Sequence, residues 1–187
     1  MEAIDNKMEE GKEILLIGDS ITKNMERFAP SYPKYFPAST VVNAGVAGDP
    51  VEAILYRVQQ MNFPQSFSQT SLLCGTNNLA STSPAVMSAT IIEILSALTN
   101  KCPTAFIHVF PILPRFHHCH YFVQVTNSRI FFQVQDRFSE RVIFHDLPPS
   151  LCNKNMYRDD KIHLTNKGND IFVRWIHYNI NCNPQPI

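Results

Sequence analysis

Short apolar runs separated by longer segments of helical period constrain this chain more than any other feature. Runs of Val, Ile, Leu and Phe without polar alternation suit strands buried on both faces, which is the condition of a parallel sheet. Five runs stand out: Glu13–Ile17 (EILLI), Thr40–Asn43 (TVVN), Thr70–Cys74 (TSLLC), Ala105–Phe110 (AFIHVF) and Arg141–His145 (RVIFH). Parallel neighbours need crossover connections, and each gap between runs is long enough to hold a helix. The expectation is an α/β chain built on a five-stranded parallel sheet.

The helices carry start signals. Asp49-Pro50 and Ser83-Pro84 each offer a capping side chain followed by a proline whose missing N–H costs nothing in a first turn, opening VEAILYRVQQM and AVMSATIIEILSAL. A third helix is expected from Tyr121 to Phe138, and a last one from Thr165, with Ile171, Phe172, Trp175 and Ile176 on one face. Thirteen prolines against six glycines mark stiff loops at the strand ends, at Pro30, Pro33 and Pro37, at Pro111 and Pro114, and at Pro148 and Pro149. In open parallel sheets ligands bind beyond the carboxyl ends of the strands, so the strand exits are where chemistry belongs.

At 187 residues with 44% hydrophobic content, one domain spanning 1–187 can bury a full core without staples, residues 1–12 forming a flexible or helical extension. Sixteen basic and sixteen acidic residues leave no net field to recruit nucleic acid, and no stretch interleaves several Lys or Arg with aromatics. The acidic start MEAIDNKMEEGKE is unlike a signal peptide, and no apolar run is long enough to span a bilayer, so a cytoplasmic protein is expected. Five cysteines, an odd number without CxxC spacing, argue against a disulfide framework or a zinc module; a lone Cys152–Cys182 bridge is the one pairing that stays open and is not the expected state.

The first run leads into Gly18-Asp19-Ser20-Ile21-Thr22, which places a serine at a strand-to-helix turn. A serine hydroxyl is inert at neutral pH until a base takes its proton, so alone it reads as a helix cap. Near the far end, Asp159-Asp160-Lys161-Ile162-His163 sets an aspartate three residues before a histidine, a spacing that lets the carboxylate fix the imidazole tautomer. Between them, Asn43–Asp49 (NAGVAGD) and Gly75–Asn78 (GTNN) follow the second and third runs and offer glycine amides and asparagine NH2 groups suited to an oxyanion. No G-x-S-x-G nucleophile elbow occurs.

Taken together, GDS at 18–20, NAGVAGD at 43–49, GTNN at 75–78 and DKIH at 160–163 resemble the blocks of the SGNH, or GDSL-type, hydrolases across almost the whole chain. The resemblance implies a flavodoxin-like three-layer α/β/α sandwich and a serine esterase without cofactor or metal. It further implies Ser20 as nucleophile, His163 as general base and then acid, Asp160 as its orienter, and an oxyanion hole from the Ser20 and Gly48 amides and Asn77. Within the family, GTNN, Ile112–Arg115 followed by Asn127, and IHLT at 162–165 are similar to the catalytic subunits of intracellular platelet-activating-factor acetylhydrolases. Similar domains occur as esterases in the first open reading frame of LINE-type retrotransposons. The substrate this implies is a small-molecule or lipid ester carrying an acetyl or other short acyl group. Asn78 departs from the aspartate of many members, and Ile21 from the leucine usual after the serine.

Other clusters attract blander readings. Arg115–Tyr121 (RFHHCHY) cannot converge consecutive residues on a tetrahedral ion and reads as a loop bordering the cleft. His108 and His145, in strands, are expected to be packed and hydrogen-bonded. Tyr32, Tyr35, Phe36, Phe63 and Phe67 would touch an acyl chain or lipid surface if exposed, but are expected to cover the sheet ends.

Overall fold

A computed structural model describes residues 8, 11–64, 66–116 and 119–182; most of the expected extension 1–12 lies outside them. Strands β1 (Ile14–Gly18), β2 (Val41–Gly45), β3 (Gln69–Leu73), β4 (Phe106–Val109) and β5 (Val142–Phe144) form one sheet in the order β2-β1-β3-β4-β5, every neighbouring pair parallel. The helices are α1 (Ser20–Phe28), α2 (Tyr32–Tyr35), α3 (Val51–Gln60), α4 (Pro84–Lys101), α5 (His120–Arg137) and α6 (Asn166–Asn181). The five strands and the three-layer arrangement agree with the sequence reading.

Successive strand residues point to opposite faces, and both faces are apolar. Leu15, Ile17, Val42 and Leu72 face a cluster completed by Ile54 and Val58 of α3, Ile91 and Leu95 of α4, and Val123 and Ile130 of α5. Leu16, Val41 and Leu73 face the other, with Ile21 and Met25 of α1 and Phe172, Val173 and Ile176 of α6. This two-sided burial is what made the runs legible as uninterrupted hydrophobic strings.

Several boundaries differ from the expectation. The second strand runs on through Ala44 and Gly45, because Gly18 of β1 pairs with both Gly45 and Leu73 and keeps the ladder closed to that level. Pro33 sits in the first turn of the short helix α2, where a stiff loop was expected. Asp49 is not the cap of α3: Pro50 holds that place, and the Val51 N–H donates to Asn78 Oδ1 at 2.8 Å. Ser83 caps α4 through its hydroxyl, as expected, while Thr165, expected as the start of the last helix, caps it from outside through its own hydroxyl. All five cysteines are free. Tyr32, Phe36 and Phe67 are buried in the two apolar clusters, and Tyr35 and Phe63 are half-buried against them.

His108 and His145 form a buried pair, His108 Nδ1 lying 2.8 Å from His145 Nε2 with the rings stacked, and His108 Nε2 lying 2.7 Å from Gln69 Oε1. Burial lowers both from an ordinary 6.5, His108 to about 3 and His145 to about 4. Folded values below the unfolded one mean that this neutral pair contributes fully above pH 6.5 and loses its contribution as pH falls towards 4. The expected result is a loss of about 1–2 kcal/mol per imidazole between pH 7 and pH 5, read as a shift in urea midpoint. A His145→Gln variant should lose less over the same interval; an equal loss would show that carboxylates elsewhere set the dependence.

Candidate active site

Ser20 stands where β1 gives way to α1. Asp19 caps that helix, its Oδ1 accepting from the Ile21 N–H at 2.8 Å, so Ser20 is the first helical residue rather than the cap. The turn is tight because Gly18 has no side chain: a Cβ there would collide with Thr22 Oγ1 and the Leu73 carbonyl. Asp19 itself is fully buried, and its Oδ2 has no hydrogen-bond partner among the described residues. Burial pushes its carboxyl up to about 7 against the opposing Ile21 hydrogen bond and the His163 and Arg115 charges.

The turn before α6 brings in the imidazole. The Arg158 N–H donates to the His163 carbonyl at 2.7 Å, a Tyr157–Leu164 bridge closes the segment, and Lys161 takes a left-handed φ of 58° at its tip. Asp160 organises what lies inside: its Oδ1 accepts from the Ile162 and His163 N–H groups, each at 2.9 Å, and its Oδ2 lies 2.7 Å from His163 Nδ1. A carboxylate on Nδ1 keeps the proton there and turns the basic Nε2 outward. That nitrogen lies 2.9 Å from Ser20 Oγ. Burial would raise the Asp160 pKa, but the side-chain and backbone hydrogen bonds from His163 and Ile162 prevail and hold it at about 2. Asp159 is exposed on the same turn.

Gly48 and Asn77 follow β2 and β3, the two strands that flank β1, so both belong to loops bordering the Ser20 exit. Gly48 is exposed with φ +82°, a conformation that an L side chain strains to adopt. The Asn77 NH2 donates to the Asp49 carbonyl at 2.9 Å, which ties the two loops to each other. Asn78 adds a second tie from a buried position: besides capping α3, its NH2 donates to Glu52 Oε2 at 2.9 Å. An aspartate at 78 would set two carboxylates against each other, so the asparagine is matched to this chain's Glu52. On the β4 side, Asn127 clamps Ile112 by accepting from its N–H and donating to its carbonyl, both at 2.9 Å, and Arg115 donates to the Thr76 carbonyl at 3.1 Å.

The structure thus brings Ser20, His163 and Asp160 into one hydrogen-bonded chain and sets the Gly48 and Asn77 loops beside it. Sequence reasoning overlooked Arg57, whose guanidinium reaches Asp49 from the buried side of α3. Its signal was present: a charged residue on the apolar stripe of Val51, Ile54 and Val58. His120 opens α5 one residue before the expected start at Tyr121, while His117 and His118 lie outside the described residues. No group of three or more metal-ligating side chains occurs among the described residues, and none of their helices is long and apolar enough to cross a membrane.

Similar solved structures share this arrangement of strands and helices. A GDSL-like lipase from Bacteroides thetaiotaomicron is 17% identical, with 91% of this chain and 88% of that one covered and a TM-score of 0.74. A Streptococcus pneumonia protein provisionally named as a platelet activating factor is 19% identical over 95% of this chain and 90% of its own, also at 0.74. An acetyl-xylooligosaccharide esterase from Geobacillus Stearmophilus, in a W190I mutant, is 14% identical over 97% and 99%, at 0.71. No curated protein matches the chain. The model of the GDSL-like lipase/acylhydrolase family matches residues 16–171, a span running from β1 through the His163 turn into α6. Because that match spans most of the chain, the chain belongs to the GDSL-like lipase/acylhydrolase family.

Proposed function

We propose that this chain is a serine esterase that hydrolyses carboxylic esters through an acyl-enzyme on Ser20, with acetyl and other short acyl esters of lipids or small molecules as substrates. The observation that carries the reading is the Ser20 Oγ–His163 Nε2 distance of 2.9 Å with Asp160 on the opposite ring nitrogen at 2.7 Å. In the first half-reaction His163 takes the hydroxyl proton as Oγ bonds to the carbonyl carbon. The tetrahedral oxyanion is met by the Ser20 and Gly48 amides and by the Asn77 amide hydrogen not taken by Asp49. The C–O bond to the alcohol then breaks, and His163 returns the proton to the departing oxygen. Water repeats the sequence with His163 again as base, releasing the acid and restoring the serine.

The short-acyl preference is supported by the resemblance to acetylhydrolases and by the fold shared with an acetyl-xylooligosaccharide esterase. That likeness also favours a second reading, deacetylation of a carbohydrate, which uses the same steps and differs only in the alcohol. A panel of p-nitrophenyl esters of rising acyl length, with an acetylated xylo-oligosaccharide alongside, separates the two. The expected result is highest kcat/KM for acetyl, with the lipid-like or sugar alcohol setting KM. No hydrolysis of any ester, together with no labelling by a fluorophosphonate, would leave a non-catalytic binding module on the same scaffold.

A further inference from the structure

Arg57 lies on α3 with only 8% of its surface exposed, between Ile54 and Val58, which are fully buried. An apolar side chain would pack there without the cost of removing a cation from water. Its nitrogens instead reach three separate segments. Nε donates to Asp49 Oδ2 at 2.7 Å, Nη1 to the Ala44 carbonyl at 3.1 Å in β2, and Nη2 to the Gly18 carbonyl at 3.3 Å in β1. The Gly18 carbonyl also accepts from the Val46 N–H at 3.0 Å. Residues 46–50 run from the end of β2 to the start of α3, and Gly48 sits among them in its left-handed conformation. Asp49 is the hinge of this arrangement: its carboxylate is held by Arg57 and its carbonyl by the Asn77 amide at 2.9 Å. One guanidinium therefore links the residue that ends β1, two positions before Ser20, with both loops of the proposed oxyanion hole.

We infer that Arg57 is a positioning residue for ester hydrolysis, fixing the Gly48 loop and, through Asp49, the Asn77 amide at a set distance from Ser20; the inference rests on the serine-esterase reading above. A planar fork meets all three acceptors at once, whereas a lysine presents its donors from a single point and can restore only part of the arrangement. Arg57 touches no reacting atom. Its removal leaves Ser20, His163 and Asp160 in place and lets the donors drift, and a displacement of about 1 Å costs on the order of 10²-fold in rate.

The test compares Arg57→Met, Arg57→Lys, Asp49→Ala, Asn77→Ala and the Arg57→Met/Asn77→Ala double variant on p-nitrophenyl acetate, with Ser20→Ala as reference. The expected result for Arg57→Met is a fall in kcat of about 10–100-fold, with KM and the shape of the pH–rate profile little moved and partial recovery in Arg57→Lys. Asn77→Ala alone costs about 10²–10³-fold, and its penalty should shrink markedly in the Arg57→Met background, because the donor is already misplaced. Full kcat in folded Arg57→Met, or penalties that simply multiply, overturns the inference. Should Arg57→Met fail to fold, Asp49→Ala carries the same test: it removes the oxygen that accepts from Arg57 Nε while keeping the carbonyl that holds Asn77, and unchanged kcat there is equally fatal. Hydrolysis that survives in Ser20→Ala removes the underlying reading, whereas an inert Ser20→Ala beside a fully active Arg57→Met removes only the role given to Arg57.

Discussion

Ser20→Ala is expected to lower kcat/KM for acetyl esters by roughly 10⁴–10⁶-fold and to abolish fluorophosphonate labelling while leaving the fold intact. The size of the effect follows from the loss of the only atom that would bond to the carbonyl; what survives is the binding and oxyanion contribution acting on water. The fold is spared for a local reason. The α1 cap is Asp19, not Ser20, and alanine has the best helix propensity of any residue at the position that remains. Circular dichroism and the urea midpoint should match the wild type, so a loss of activity cannot be charged to unfolding. Retained turnover or retained labelling would remove Ser20 from the chemistry.

Asp160→Asn should cost about 10³–10⁴-fold in kcat, the second largest effect. The Asn Oδ1 can still accept from the Ile162 and His163 backbone N–H groups, so the turn persists. Its NH2, placed where Oδ2 lay 2.7 Å from His163 Nδ1, is a donor facing a donor. The imidazole relieves this by moving its proton to Nε2, which then has no lone pair for the Ser20 hydroxyl. Asp159→Asn is the control, and its exposed carboxylate should give a change of less than about twofold, within the small effects usual for surface substitutions. The stability consequence has a definite sign. A carboxyl held at about 2 in the fold and 3.8 outside it contributes above pH 4 and loses that contribution as pH falls to 2. The variant should therefore match the wild-type urea midpoint near pH 2 and fall below it, by a small amount for so exposed a group, at neutral pH.

The legibility of the site varied residue by residue. Asp160 and His163 could be paired on the page because their contact is local, three positions apart on one turn. Ser20 and His163 are 143 positions apart, and their separation has no expression in spacing. Asp49 shows how a local rule misleads: beside Pro50 it reads as a helix cap, yet a buried Arg57 takes its side chain and Asn78 caps α3 from another strand exit. Asn78 likewise reads as a departure from a pattern until Glu52 is found against its amide.

Composition and periodicity by themselves determined the layers of this protein: five buried strings, helices between them and a sheet apolar on both faces follow from a solvent that expels hydrocarbon at every strand. The order of the strands, with β1 between β2 and β3, was decided only by the tertiary structure, because every parallel strand has nearly the same hydrophobic string and only packing selects its neighbours. That choice sets the Gly48 and Asn77 loops on either side of Ser20, and it buries an arginine that joins the end of β1 at Gly18 to the stretch from Ala44 to Asp49.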